Sequence, residues 1–167
     1  GISLALLGKK VVMVGLDIRK PRLAELFEID NHHNGITNLI VHDHNTWDDI
    51  QKQILSSGVN SKLDLLMAGP VPPNPGELVT RASLDDIISQ LKEHYDYVIL
   101  DTAPVGLVND SLQLGRLANL CVYVCRADYT PKASFGMING LNEEKKLPNM
   151  CLVLNGVDLS KKKHSFY

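Results

Sequence analysis

Five short apolar runs separated by stretches of helical pattern limit what this chain can fold into. They are Val11-Val12-Met13-Val14, Leu63-Asp64-Leu65-Leu66-Met67, Tyr97-Val98-Ile99-Leu100, Leu120-Cys121-Val122-Tyr123-Val124-Cys125 and Cys151-Leu152-Val153-Leu154. A strand that is apolar at nearly every position is buried on both faces, which calls for a mainly parallel sheet with helices above and below it. Helix candidates lie between the runs, over 22–27, 47–55, 76–93, 107–116 and 132–145. Pro21 suits entry to the first of these. The longest carries Leu78, Val79, Ala82, Leu84, Ile87, Ile88 and Leu91 in an amphipathic pattern. Residues Ile2 to Leu7 read as a helix already under way, with Gly8 as its stop. The expected fold class is therefore a three-layer α/β domain.

Composition narrows the function. The chain has 167 residues, 44% apolar and 22% charged, which suits one α/β domain. Seventeen basic against nineteen acidic residues give a net charge of −2, without the basic excess that binding to a phosphate backbone demands, so no nucleic-acid partner is expected. Three cysteines lack metal-ligand spacing, and Cys121 and Cys125 share one face of a strand, as core thiols do. His32, His33, His42 and His44 stand in a polar stretch with no cysteine or spaced carboxylate set beside them and read as surface histidines. No apolar run approaches the ~20 residues of a membrane span. The chain opens inside a helical pattern, so it reads as an excised domain. The expected division is a domain over 1–160 and the start of a flexible tail over 161–167, where Lys161-Lys162-Lys163 precede Tyr167.

In a parallel α/β sheet, ligands bind beyond the carboxyl ends of the strands. The segments to inspect are Gly15-Leu16-Asp17-Ile18-Arg19-Lys20-Pro21, Asp101-Thr102-Ala103-Pro104 and Asn155-Gly156-Val157-Asp158. A carboxylate that ends an apolar strand and is followed by small residues and a proline is the Walker B arrangement, which helps hold Mg²⁺ beside nucleotide phosphates. Asp101 has that setting, although an isolated Asp there serves equally as a turn former or helix cap. Asp17 ends another strand of the same sheet, and together the two favour a metal–phosphate site. A glycine-rich phosphate loop would complete it. Gly8-Lys9-Lys10 fails that test: Ser3 stands where the first glycine belongs, Lys10 replaces the hydroxyl residue, and the helix precedes the strand. The missing loop is expected upstream of Gly1.

These segments also resemble a known family. Val11 to Pro21 resembles the Walker A′ motif of the bacterial tyrosine kinases that govern polysaccharide chain length and export. Gly35-Ile36-Thr37-Asn38-Leu39-Ile40 resembles a further segment of that family. Ala68-Gly69-Pro70-Val71-Pro72-Pro73-Asn74-Pro75-Gly76-Glu77-Leu78 is very similar to its Gly-Pro-x-Pro-Pro-Asn-Pro-x-Glu-Leu signature. Tyr95 to Val105 resembles its Walker B motif. The resemblance runs over nearly the whole chain in order, and the proline-rich signature separates the family from partitioning ATPases.

The resemblance implies a P-loop fold, lacking its N-terminal P-loop strand here, with ATP and Mg²⁺ in the full-length protein. It implies a tyrosine autokinase domain that regulates exopolysaccharide or capsule polymerisation and export. Asp17 and Asp101 would act on Mg²⁺ and on activation of the tyrosine hydroxyl, Asn155 would contact the adenine, and Tyr167 would be a phosphoacceptor. Tyr95, Tyr97, Tyr123 and Tyr129, in or beside strands, are poorer acceptors. The implied partners are a polysaccharide co-polymerase, in the same chain or a separate subunit, and neighbouring copies for phosphorylation in trans. The implied location is a cytoplasmic domain at the bacterial inner membrane. The family pattern reads Asp-x-Asp-x-Arg, and Gly15 replaces its first Asp. Without the phosphate loop, the 167 residues alone are expected to be inactive. The alternatives are a non-catalytic regulatory module of the same fold and a ParA/MinD-like ATPase.

Overall fold

All five apolar runs form strands, and each lies parallel to at least one neighbour. The structure is a computed structural model and describes residues 1–29, 33–106 and 109–158. His32, Tyr167, the Lys161–Lys163 run and the first two residues of the helix expected over 107–116 lie outside the described residues. The described chain divides into two units, 1–117 and 118 onward.

In the first unit, α1 (Ile2–Leu6) leads into β1 (Val11–Gly15). Gly8 stops α1 as expected: it takes a φ of +82°, its N–H donates to the Ala5 carbonyl, and the Lys9 N–H donates to that of Leu4. This pair of bonds is the Schellman termination, which glycine enters without a Cβ penalty. The helices α2 (Leu23–Leu26), α3 (Ile36–Ile40) and α4 (Trp47–Gln53) follow, then β2 (Ile54–Ser56) and β3 (Leu63–Leu66). After these come α5 (Pro75–Leu78), α6 (Ala82–His94), β4 (Tyr97–Asp101), α7 (Asp110–Leu114) and a 3₁₀ turn over Gly115–Leu117. The sheet order is β2-β3-β1-β4, with β2 antiparallel to β3 and the other pairs parallel. Among the described residues, β4 pairs with β1 alone.

The central strand β1 explains why its run is apolar at every position. Val12 and Val14 enter one core with Ile36, Ile40, Leu84, Ile87 and Leu91, whereas Val11 and Met13 face apolar clusters that include Ala5, Leu63 and Leu65. Alternate residues thus meet different helices on opposite faces, the two-sided burial of a parallel sheet. Trp47 packs against the first core and stacks on the His94 ring, with centroids 3.6 Å apart.

Two expectations about elements need correction, and one helix appears in addition. The helix expected over 47–55 ends at Gln53; Ile54 and Leu55 instead begin β2, pairing with Leu66 and Leu65. Two adjacent apolar residues at a helix end satisfy a strand period as well as a helical one, and the open edge of β3 decided the matter. The stretch 76–93 is two helices, because Arg81 takes extended backbone (ψ 141°) between them. The helix α3 was not expected; at five residues it is too short for a periodic signal.

In the second unit, β5 (Val122–Arg126) and β6 (Cys151–Asn155) pair in parallel, joined through α8 (Ser134–Glu143). Ile138 and Leu141 of α8, with Cys125 and Leu147, are its buried apolar residues. Cys125 is the core thiol expected, and Cys121 is half-buried just before the strand. No described helix is long and apolar enough to cross a membrane.

Candidate functional site

Parallel pairing of β1 with β4 brings the two strand-end aspartates together. Gly15 is the register partner of Asp101, so the chain leaving β1 passes directly over the end of β4. The Asp101 carbonyl accepts from the Leu16 N–H at 2.7 Å and from the Asp17 N–H at 3.0 Å. One carbonyl oxygen thereby anchors the start of the exit loop. Beyond that anchor, Asp17 Oδ1 accepts from the backbone N–H of Arg19 (3.3 Å) and of Lys20 (3.0 Å). This folds the loop back over its own aspartate, as Asp side chains do in turns.

Electrostatics tie the pair together. Asp101 stays open to solvent at the end of β4, but its carboxyl is partly desolvated by the surrounding protein. That desolvation, followed by the negative charge of Asp17, raises its pKa above the usual carboxylate value. Two carboxylates that repel each other at adjacent strand ends form a site that a divalent cation would relieve. Mg²⁺ fits this donor set, since it takes one or two carboxylates and completes its shell with water and phosphate oxygens. Among the described residues, no group of three or more His, Cys, Asp or Glu could hold a metal without such outside ligands.

Gly15, which stands where the family pattern has an aspartate, has a steric setting of its own. A Cβ there would lie 3.1 Å from the Ala68 backbone N and 3.6 Å from Leu23 Cδ2. The end of β3 approaches β1 closely at this point, and any side chain at position 15 would have to push it away.

Asn155 ends β6 in the second unit, where its Oδ1 accepts from the Gly156 N–H at 2.8 Å. Tyr167 lies outside the described residues. Tyr95, just after α6 and before β4, donates its hydroxyl to Asp64 Oδ2 at 2.8 Å. Tyr129 sits in the turn after β5, 75% exposed, with Arg126 5.4 Å above its ring.

Sequence reasoning quoted Arg19 within its motif without giving it a role, and missed Asp110. Arg19 Nε donates to Asp110 Oδ2 at 2.6 Å and Arg19 Nη2 to Asp110 Oδ1 at 3.2 Å. The Asp110 hydrogen bond is the largest cause that raises the Arg19 pKa; desolvation opposes it, and the charges of Asp110 and then Asp17 add to it. The proline-rich segment is likewise held in place. The N–H groups of Ile36 and Thr37 donate to the carbonyls of Met67 (2.8 Å) and Ala68 (3.0 Å), and Thr37 Oγ1 donates to that of Pro70 (3.1 Å). Two segments of the family resemblance are therefore one interlocked junction in space.

The chain is 30% identical over 166 residues to CapB of Staphylococcus aureus, named as a tyrosine-protein kinase, covering 99% of this chain and 70% of that protein. The chain belongs to the bacterial tyrosine-kinase family. It is also 31% identical over 160 residues to the tyrosine-protein kinase YwqD of Bacillus subtilis, of which it covers 64%. Among solved structures, the kinase domain of the Escherichia coli tyrosine kinase ETK matches 99% of this chain and 62% of its own, at a TM-score of 0.82 and 26% identity. The septum-site protein MinD from Pyrococcus horikoshii matches at a TM-score of 0.69 and 17% identity, a likeness of fold alone. The chain thus spans about two thirds of the length of the proteins it matches. Its P-loop-type α/β fold is common to all of them. No protein-family model matches the chain.

Proposed function

We propose that this chain is the larger part of the catalytic domain of an ATP-dependent protein tyrosine kinase that phosphorylates itself and regulates capsule or exopolysaccharide polymerisation and export. The observation that carries the proposal is the Asp17–Asp101 pair, two carboxylates on adjacent strand ends joined through the Asp101 carbonyl. Both would serve Mg²⁺ bound to the nucleotide, and one would accept the tyrosine hydroxyl proton as the oxygen becomes nucleophilic. Bound MgATP supplies the transferable phosphoryl group, and the protein contributes positioning and charge stabilisation. Asn155 is assigned to the adenine and Tyr167 to the acceptor tail.

In this reading the two units together form one domain over 1–160, followed by the tail. A glycine-rich phosphate loop outside the 167 residues completes the nucleotide site, so these residues alone hold MgATP weakly and transfer no phosphate. The domain works on the cytoplasmic side of the inner membrane with a polysaccharide co-polymerase and phosphorylates neighbouring copies. Gly15 favours a second reading, a regulatory module of the same fold without efficient chemistry, because it removes one carboxylate of the family pattern.

Transfer of radiolabelled phosphate from MgATP to tyrosine by the full-length protein, followed by phosphopeptide mapping, separates the two readings. The kinase reading expects label concentrated at the C-terminal tyrosines. No label, with ATP still bound, supports the module; label mainly on Tyr97 or Tyr123 contradicts the acceptor assignment.

A further inference from the structure

The chemistry proposed above depends on where the Asp17 carboxylate stands, and the Asp17 N–H bond to the Asp101 carbonyl ties only its backbone to the end of the sheet. Its own loop closes over it through the Arg19 and Lys20 amides. From that loop the Arg19 side chain reaches Asp110 through two donors at 2.6 and 3.2 Å. Paired donors from one guanidinium fix direction as well as distance. The Asp110 side chain is only 12% exposed, so solvent competes little for it. Asp110 is also the first residue of α7, and the next residue, Ser111, donates its hydroxyl to the Ala103 carbonyl just beyond Asp101. Gly76 of the proline-rich segment closes the third side: a Cβ there would lie 3.5 Å from Asp110 Oδ1 and 3.6 Å from Arg19 Nη2.

We propose that the Arg19–Asp110 pair is a positioning clamp that sets the Asp17 carboxylate relative to Asp101 by tying the β1 exit loop to α7 and the β4 exit loop. The proposal rests on the kinase reading for its effect on turnover, but its effect on the loop is independent of it. An ordinary exposed ion pair contributes little and touches no other function. This one joins residues 91 positions apart on either side of the two aspartates. Any displacement of α7 reaches Asp17 through Arg19, so the clamp also carries motion of the segment after Asp101 to the opposite carboxylate.

The test uses the full-length protein with Asp110→Asn, Arg19→Lys and the exchanged pair Arg19→Asp/Asp110→Arg. Amide hydrogen exchange gives a readout separate from activity. In Asp110→Asn the Arg19 and Lys20 amides should exchange about tenfold faster, because their loop opens locally. The Leu16 and Asp17 amides, bonded to the Asp101 carbonyl, should keep their protection. Turnover should fall about 10- to 100-fold, the usual cost of losing a residue that orients a metal-site ligand, with the KM for ATP little changed. Arg19→Lys should show the same pattern in weaker form, and the exchanged pair should recover part of both losses. Unchanged exchange at Arg19 and Lys20 in both single variants would overturn the clamp. So would a uniform rise in exchange across 1–117, which marks general destabilisation. If Asp110→Asn does not fold, Arg19→Lys decides alone on the same criteria. Asp101→Asn is the control: if it keeps full activity, the kinase reading fails, while the exchange result still judges the clamp.

Discussion

Gly35→Ala should destabilise the protein far more than an alanine in extended backbone normally does. Gly35 has a φ of 164°, which any residue can adopt, so conformation is not the obstacle. Space is. An added Cβ would lie 2.3 Å from the Met67 carbonyl oxygen, 2.4 Å from the Gly69 N and 2.7 Å from the Ala68 carbonyl carbon. All three are backbone atoms, so no rotamer change relieves the clash. The segments would have to part by about 1 Å to restore an ordinary contact, which breaks the Ile36-to-Met67 and Thr37-to-Ala68 hydrogen bonds now at 2.8 and 3.0 Å. Two lost backbone bonds cost about 1 kcal/mol each. Overpacking a tight site adds about 1–3 kcal/mol. The sum, about 3–5 kcal/mol, is a large share of a typical domain's stability. Urea denaturation should show the midpoint falling with little change in slope. Gly140→Ala is the internal control: it lies in α8 with nothing within 4 Å of the added Cβ, and should stabilise by about 0.5–1 kcal/mol. A Gly35→Ala protein within about 1 kcal/mol of the parent would refute the interlocked junction.

Other consequences are as direct. Ile87 is fully buried in the main core, and Ile87→Ala should cost about 2–5 kcal/mol by denaturation, more than the same change at exposed Ile2. Burial and the Asp64 hydrogen bond raise the Tyr95 pKa, so this interaction is intact below the usual tyrosine value of about 10 and is lost as pH rises beyond it. Alkaline denaturation should therefore begin earlier in the parent than in Tyr95→Phe. The Asp101 pKa is also raised, so the native state keeps its proton over a range where the unfolded chain has released it, and stability falls as pH climbs through that range. Asp101→Asn removes this loss and should match or exceed the parent's stability at pH 7, with the advantage shrinking below about pH 4.

The α/β class was legible because β1, β3, β4, β5 and β6 are apolar runs. The two-sided burial expected of them holds for β1 and β3 and not for β5 and β6, which form a two-stranded sheet of their own with Val122, Val124, Leu152 and Leu154 exposed. The boundaries that escaped were set by tertiary contact. Ile54 and Leu55 carry no local signal that distinguishes a helix end from a strand start; the unpaired edge of β3 claims them. The Asp17–Asp101 pair was legible since each aspartate ends its own run and parallel strands bring such ends together. The Arg19–Asp110 pair was not, because no periodicity links residues 91 apart. Nor did the sequence reveal why Gly15 tolerates no larger side chain easily: the reason is the Ala68 backbone N, 3.1 Å from where its Cβ would be.

Asp101 is proposed to work on nucleotide-bound Mg²⁺ at some expense to stability. The most direct measurement compares full-length parent and Asp101→Asn proteins at pH 7 for tyrosine phosphorylation from MgATP, with thermal unfolding followed on the same samples. The predicted result is a loss of phosphoryl transfer by at least about 100-fold with an unfolding temperature equal to or above the parent's. Retained transfer in Asp101→Asn, or loss of transfer together with loss of the folded state, would contradict it.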